Sequence, residues 1–530
     1  MWHRYDSALR GAVVSALRMA GARGASAASV RDLAEAIARG QDAQAENSSQ
    51  NDAVVVARAI DGDALAVIER AYELAALDGV KQISRAHVAA GLDGTRRTSE
   101  SFAAKPQAAA ATQDAVKDDA PISASDPRFA TDPYPLYARW RGEPFVRRDP
   151  VLPVWVITGY DEVMAVLRDP RFTVRRKQSR TTGNTFSIDA LPEGRVRGQL
   201  AVLANVLAHK MIFLDPPEHT RVRGLMKETF SPRACEAWRP RISRIADELL
   251  DAALTRNGRE LDLIQDFALV LPIIVICEMI GLPPADRVQL KHWADLIGNV
   301  IVLGSTIRHE VDARRGMIEF RAYFDRVVAR VRSDPAGDSL LAALVRNGYP
   351  SNDVEEAELF ANVAFVLGAG HETTTSLIGN GTRILLNHRD QLEPLRNNPS
   401  LVGGAVEELL RFESPVQWTS RQALEDVEVG GVKIRGGESV LISLGAANRD
   451  ARMFPDPDRL DIRRSNAARH LAFSGGIHFC LGAALSRVEG SVGLTKLIKR
   501  LPALRVLQDR PLQWKRGSTI RTLETLPAVF

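Results

Sequence analysis

Phe473-Ser474-Gly475-Gly476-Ile477-His478-Phe479-Cys480-Leu481-Gly482-Ala483-Ala484-Leu485 is the stretch on which the fold turns. One cysteine follows two glycines and precedes an alanine-rich run. Glycine permits backbone conformations and close approaches that a side chain blocks, so the segment predicts a loop bent around a flat group. Leu481 to Glu489 predicts a helix that begins just after Cys480. A thiol at a helix N-terminus has a lowered pKa, because the dipole and the free N–H groups favour the thiolate. Cys480 is therefore a candidate thiolate ligand. A buried structural cysteine is the alternative.

The pattern Phe-x-x-Gly-x-His-x-Cys-x-Gly-x-x-Leu resembles the haem-binding signature of the cytochrome P-450 family, the haem-thiolate monooxygenases. Ser486 departs from it, since the family usually has Ala there. The resemblance implies haem b (iron protoporphyrin IX) as cofactor and Cys480 as the iron ligand, whose thiolate pushes electron density onto the iron. It also implies that His478 contacts a haem propionate and that Phe473, Gly476 and Gly482 shape the loop.

The totals are those of an ordinary globular protein. The chain has 530 residues, 45% apolar and 25% charged, enough for two domains. Sixty-nine Lys and Arg against 65 Asp and Glu leave a net charge of +4, which is not the profile of a nucleic-acid binder. Cys235, Cys277 and Cys480 have no paired spacing, so neither a disulfide framework nor a zinc cluster is expected. No signal peptide is evident. The most apolar run, Phe267 to Ile280, is interrupted by Pro272 and Glu278 and is too short to span a bilayer. The expectation is a cytoplasmic protein with no membrane contact, and within the family it resembles the bacterial soluble type.

Residues 1–94 are alanine-rich with helical periodicity. Ala16, Ala20 and Gly24 are echoed by Ala71, Ala75 and Gly79, and Ser29 by Ser84. Two similar helical units predict an all-α domain. The echo resembles the paired repeats of the Clp N-terminal domain, which implies a protein partner; an inert appendage is the alternative. Residues 95–124 are rich in Ser, Thr, Ala, Lys and Asp and predict a flexible linker. Residues 125–530 then form the second domain, which the resemblance covers.

Within that domain, Tyr134 to Trp140 predicts a short helix, Val154 to Thr158 a strand, and Tyr160 to Leu167 a helix stopped by Asp169-Pro170. Val174 to Arg197 has no firm pattern. By resemblance it is the variable loop over the substrate, with Phe186, Ile188 and Leu191 as candidate pocket residues. His219 and Arg223 are four apart, so they share a helical face that suits an anion. The resemblance implies that this anion is a haem propionate. Ile264 to Ile280, Pro284 to Leu303 and Val311 to Val331 predict three further helices, the last of them amphipathic.

Asp353 to Leu386 predicts a long helix with Leu367-Gly368-Ala369-Gly370-His371-Glu372-Thr373-Thr374-Thr375 at its centre. Two glycines disfavour a helix by about 1 kcal/mol each. A threonine hydroxyl can bond the carbonyl four residues back and open the helix, which here joins Thr373 to Ala369. Glu372 beside Thr373 is an acid–alcohol pair suited to proton delivery. The segment is similar to the family's Ala-Gly-x-Asp/Glu-Thr motif, and Val366, one turn earlier, is a candidate substrate contact.

Glu408 and Arg411 form an i,i+3 pair on a helix, and Arg459 is the expected third member of a structural Glu-Arg-Arg arrangement that the resemblance implies behind the cysteine loop. Arg421 matches the family's propionate-binding arginine, and Val416 and Trp418 then pass the haem edge toward substrate. Val427 to Ile434 and Ser439 to Leu444 predict short strands.

The expected architecture is mainly α, a cytochrome P-450 fold with small β-sheets, preceded by an N-terminal all-α domain. The expected reaction inserts one oxygen atom from O2 into a hydrophobic small molecule by hydroxylation or epoxidation, within secondary metabolism. No flavin or nicotinamide fingerprint is present, so electrons are expected from a ferredoxin and ferredoxin reductase, with Arg487 and Lys227 as candidate docking charges. A peroxygenase or a haem-thiolate sensor is the alternative; Glu372 and Thr373 argue against both, because neither needs a proton relay.

Overall fold

The computed structural model describes residues 121–175, 208–255, 259–298, 307–507, 509–515 and 519–530. The N-terminal repeats, most of the linker, and the loop containing Phe186, Ile188 and Leu191 lie outside the described residues. The second unit of the chain begins at Pro121. Ile122 and Ala124, assigned by composition to the linker, are 4% and 3% exposed. They join Phe129, Tyr137, Trp140 and Trp418 in an aromatic cluster, and the Ala124 amide donates to Asp149 Oδ2 at 2.7 Å.

The core is helical. In chain order its main helices are α1 Tyr134–Trp140, α2 Tyr160–Arg168, α3 Glu218–Met226, α4 Pro232–Ala237, α5 Arg239–Leu254, α6 Val270–Ile280, α7 Arg287–Gly298, α8 Ile307–Ser333, α9 Asp353–Asn387, α10 Val402–Phe412 and α11 Ala483–Arg500. A single π turn, Ile264–Ala268, opens the apolar segment that α6 continues. Within residues 125–530 each expected helix is found where its residues are described; residues 299–303 of one of them, and the helices expected in residues 1–94, lie outside the described residues. The helix after the cysteine is the exception in extent, since it runs to Arg500.

Helix α9 is the axis. Asn352 caps it by accepting the Glu355 amide at 3.0 Å, and Asp353, Glu355 and Glu356 complement the N-terminal dipole. Its 35 residues extend about 52 Å. The helix runs unbroken through Gly368 and Gly370. Gly370 has a packing reason: a Cβ there would lie 3.0 Å from Ile276 Cγ1 on α6. Around α9, residues of α5, α6, α7, α8 and α11 form one large apolar cluster that includes Leu250, Ile276, Trp293, Phe320, Phe360, Leu367 and Val492.

A five-stranded sheet stands beside this helical mass. Its strands are β1 Val146–Arg148, β2 Trp155–Ile157, β3 Phe172–Thr173, β4 Trp418–Ala423 and, after the β5 Val427–Val429 and β6 Val432–Ile434 hairpin, β7 Ser439–Ser443. The order is β1-β2-β7-β4-β3, with only β2 and β7 parallel. The period of two along β4 points alternate residues to opposite faces. Trp418 thereby enters the aromatic cluster, edge-on to Phe129 at 5.4 Å and to Trp140 at 5.8 Å. It is 4% exposed. Trp418 is therefore a packing residue and not the substrate contact expected. Val366 is likewise a member of the large apolar cluster.

Candidate functional site

The cysteine loop is built from hydrogen bonds and one obligatory glycine. The Cys480 amide donates to Phe473 O at 2.9 Å and closes the loop. Residues Gly476–His478 form a 3-10 turn. Gly476 has φ +65°, and a Cβ there would lie 2.1 Å from the carbonyl oxygen of Leu167 at the end of α2. A side chain at that position is excluded both by backbone strain and by the approach of α2. A Cβ at Gly482 meets nothing within 4 Å. Phe473 is buried, and Arg487 lies over its ring at 4.7 Å.

Cys480 itself is exposed, unlike Cys235 and Cys277, which are buried. Its thiol is nonetheless pushed up from its ordinary pKa by burial among protein atoms, against the opposing pull of the Gly482 amide, Arg223 and Arg487. This reverses the expectation from the helix N-terminus: desolvation outweighs the dipole in the protein alone. A metal ion deprotonates a coordinating thiol outright, so the chemistry of the sulfur suits a metal-bound thiolate.

Four cationic or cation-capable side chains gather from three elements beside this loop. His219 and Arg223 come from α3, His478 from the 3-10 turn, and Arg421 from β4. The His219 and His478 rings lie 4.4 Å apart between centroids. Arg223 Nη2 donates to Phe479 O at 2.7 Å. Among the described residues Arg421 bonds only its own strand, Thr419 Oγ1 at 3.2 Å and Ser420 O at 2.7 Å. Burial pushes the His478 imidazole down to about 3, with Arg421, His219 and Arg223 adding to the shift. Burial also lowers His219 and Arg223, and it brings Arg421 to about 10. The Nε2 atoms of both histidines are buried without a hydrogen-bond partner. Among the described residues no carboxylate pairs with Arg223 or Arg421. Buried polar atoms ordinarily find partners, so this cluster has the chemistry of a site for carboxylates.

The structural arrangement behind the loop is different in kind. Arg411 is fully buried; its Nε and Nη2 reach both oxygens of Glu408 at 2.7 Å, and its remaining donors bond the carbonyls of Asn448, Pro457 and Arg459. The third member is Arg464, whose Nε lies 3.2 Å from Glu408 Oε1. Arg459 contributes its carbonyl while its side chain is exposed; Asp456, at φ +49°, bends the chain three residues earlier. The expectation for Arg459 is corrected accordingly. A second closed set joins Glu407, His470 and Arg487: Arg487 Nε lies 2.6 Å and His470 Nε2 3.2 Å from Glu407. Arg487 is therefore engaged and is not the free docking charge expected, whereas Lys227 is exposed.

On α9, Ala369 is exposed and Thr373 half-buried. Thr373 Oγ1 donates to Ala369 O at 2.9 Å. Sequence reasoning missed what holds Glu372. Lys515, just after the short strand Gln513–Trp514, donates to Glu372 Oε1 at 2.6 Å and lies 3.6 Å from Asp295 of α7. Asp295 in turn pairs with Lys291 at 2.5 Å. Burial lowers Lys515, but Glu372 and Asp295 more than offset it, and its pKa ends above the usual value. No local motif surrounds Lys515, so only the fold brings it to α9. Val416 is half-buried in an isolated bridge to Ile520.

An exposed cysteine on a glycine loop thus lies beside a cluster of cation-capable side chains without carboxylate partners, and the long core helix α9 carries an acid–alcohol pair. Residues 395–513 match the family described as Cytochrome P450. Cytochrome P450 107B1 of Saccharopolyspora erythraea is 42% identical over 410 residues, covering 77% of this chain and 97% of that protein. PikC, a monooxygenase of Streptomyces venezuelae, is 39% identical and covers 75% and 91%. The vitamin D(3) 25-hydroxylase of Pseudonocardia autotrophica is 40% identical and covers 76% and 94%. Among solved structures, P450BioI in complex with an acyl carrier protein bearing hexadec-9Z-enoic acid aligns with a TM-score of 0.67 at 35% identity, covering 77% of this chain and 100% of that one.

The chain belongs to the cytochrome P450 family. It is a haem-dependent monooxygenase, an oxidoreductase that places one oxygen atom from O2 into a small molecule. Among the described residues no helix is long and apolar enough to cross a membrane.

Proposed function

We propose that Cys480 ligates the haem iron and that His219, Arg223, Arg421 and His478 hold the two propionates. The carrying observation is the unpaired cationic cluster next to an exposed cysteine on a glycine-shaped loop. Bound haem supplies the iron at which dioxygen is activated. The chain's own work is then positioning and proton handling. Phe473 and the Phe473–Cys480 hydrogen bond fix the sulfur. Ala369, exposed midway along α9, leaves room beside the Thr373 hydroxyl. Glu372, held by Lys515, takes protons from the solvent side and passes them toward that hydroxyl.

The substrate we propose is a hydrophobic secondary metabolite of polyketide, peptide or terpene type, with Val416 among its contacts. Electrons come from a ferredoxin and its reductase in the cytoplasm, and Lys227 is a docking charge. Residues 1–94 are a separate helical domain that docks a protein partner, and residues 95–120 are its linker. Deleting residues 1–120 then leaves turnover of free substrate intact and removes partner binding.

The test is reconstitution with a ferredoxin, a reductase and NADPH under 18O2. The panel contains free macrolactones, a sterol and an acyl chain carried on an acyl carrier protein. The expected product carries one labelled oxygen. Glu372→Gln and Thr373→Ala lower product formation by about 10²-fold or more, the usual contribution of a positioned proton donor, and divert electrons to H2O2. Product formed only from added H2O2 would instead indicate a peroxygenase. Tight binding with no turnover by any redox partner would indicate a sensor.

A further inference from the structure

Four hydroxyl residues follow one another on α9, and one of them behaves differently. Thr373, Thr375 and Ser376 donate to the carbonyls four residues back at 2.9, 2.8 and 3.1 Å. Thr374 turns away from the helix and donates to Ser486 Oγ of α11 at 3.3 Å. Ser486 is the position at which the chain departs from the family signature. One turn further along α11, on the same face, is Glu489. It is 1% exposed, and neither of its carboxyl oxygens has a hydrogen-bond partner.

Among the described residues no counter-charge acts on Glu489. Burial pushes its carboxyl up to about 8, and the nearby Thr374 hydroxyl lowers it only in part. From α4, Cys235 faces it, itself pushed up to about 11 by burial and by Glu489. Many of the charges on the other helices packed against α11 are closed in pairs of their own. Asp247 and Asp251 of α5 meet Lys496 and Arg500. Glu278 of α6 meets Arg241, and Glu372 of α9 meets Lys515. Glu407 and Glu408 of α10 meet Arg487, His470, Arg411 and Arg464. A carboxyl so placed is held as the neutral acid near neutral pH, and a neutral acid is a donor.

We propose that Glu489 is a positioning residue: as a neutral acid it donates to Thr374, holds it turned toward Ser486, and so clamps the Ala369–Thr373 segment of α9 to the helix that follows Cys480. Thr373 and Thr374 are adjacent, so freeing Thr374 to bond its own helix changes the seating of the turn that carries Thr373. The clamp deepens the proposed function, because it rests on Thr373 as a proton-handling residue. Its ionisation state can be measured without turnover.

The experiment uses the full-length holoprotein with E489Q, T374V and S486A. Infrared difference spectra against E489Q at pH 7 are expected to show one protonated-carboxyl C=O band. T374V shifts that band to higher frequency, as expected on loss of a hydrogen bond, and S486A shifts it less. The same band disappears from wild type as pH rises through about 8. In turnover, H2O2 released per NADPH rises several-fold across that range in wild type and stays flat in E489Q, which is neutral at every pH. A general loss of packing would instead raise uncoupling in E489Q at all pH values. Absence of the band at pH 7, or a band indifferent to T374V, overturns the proposal. Flat uncoupling in wild type overturns it as well. If no substrate is oxidised at all, the monooxygenase reading fails, and the infrared result alone decides the state of Glu489.

Discussion

Two arginine–histidine clusters lie on either side of the cysteine loop. Behind it, Arg411 and Arg464 close on Glu408 and Arg487 closes on Glu407, with the buried His470 Nε2 3.2 Å from the same carboxylate but outside hydrogen-bond geometry. Beside it, among the described residues, His219, Arg223, Arg421 and His478 close on no carboxylate, and the Nε2 atoms of both histidines are buried without partners. Residue types are the same, so composition does not separate the two. Pairing does. A closed cluster spends its hydrogen bonds on the fold, whereas an open one keeps them for a ligand.

Removing a carboxylate from the closed cluster has the largest expected effect. Glu408→Ala strands the guanidinium of Arg411, which is wholly buried. Such a loss costs about 3–5 kcal/mol, to be read by urea unfolding followed by circular dichroism. Arg459→Ala is the matching control: its side chain is exposed and only its carbonyl is used, so the change is expected to stay within about 0.5 kcal/mol. Equal losses in the two variants would break the assignment of Arg464 as the third member.

Glu407 tests the second closed set through pH. Its carboxyl is held at about 2, where burial opposes and Arg487 and His470 prevail. The folded pKa lies below the unfolded value, so its stabilisation is present above about pH 4.5 and is lost as pH falls toward 2. Glu407→Gln should therefore cost roughly 3 kcal/mol near neutrality, with the difference from wild type vanishing in acid. A pH-independent difference would mean that the ion pair is not the cause.

The open cluster predicts a different pattern. Arg421→Ala removes a buried cation that has no anionic partner, so the haem-free protein should be no less stable. Haem retention should weaken by about 1.5–3 kcal/mol, the worth of a charge-assisted hydrogen bond, or about tenfold to a hundredfold. Haem transfer to apomyoglobin measures it. Loss of apoprotein stability without faster haem loss would place Arg421 with the closed set.

The same contrast explains what the sequence alone could tell. The cysteine loop, the acid–alcohol pair and the four members of the open cluster sit in short local patterns, and all were legible. Arg464 was not, because spacing does not say which arginine turns inward after the bend at Asp456. Trp418 was assigned to the wrong face, since a strand's alternation shows that neighbours differ but not which one faces substrate. The raised thiol of Cys480 escaped because a helix dipole is readable from sequence while desolvation is not. Lys515 and the Thr374–Ser486–Glu489 group depend on contacts across more than a hundred residues of chain.

The most direct test is the absorption spectrum of the dithionite-reduced, CO-bound protein beside Cys480→Ala. A red-shifted thiolate Soret band in wild type, absent from a folded variant, is the predicted result and identifies ligand and cofactor together. The same band surviving in Cys480→Ala, or no haem band in folded wild type grown with ample haem, would contradict the account.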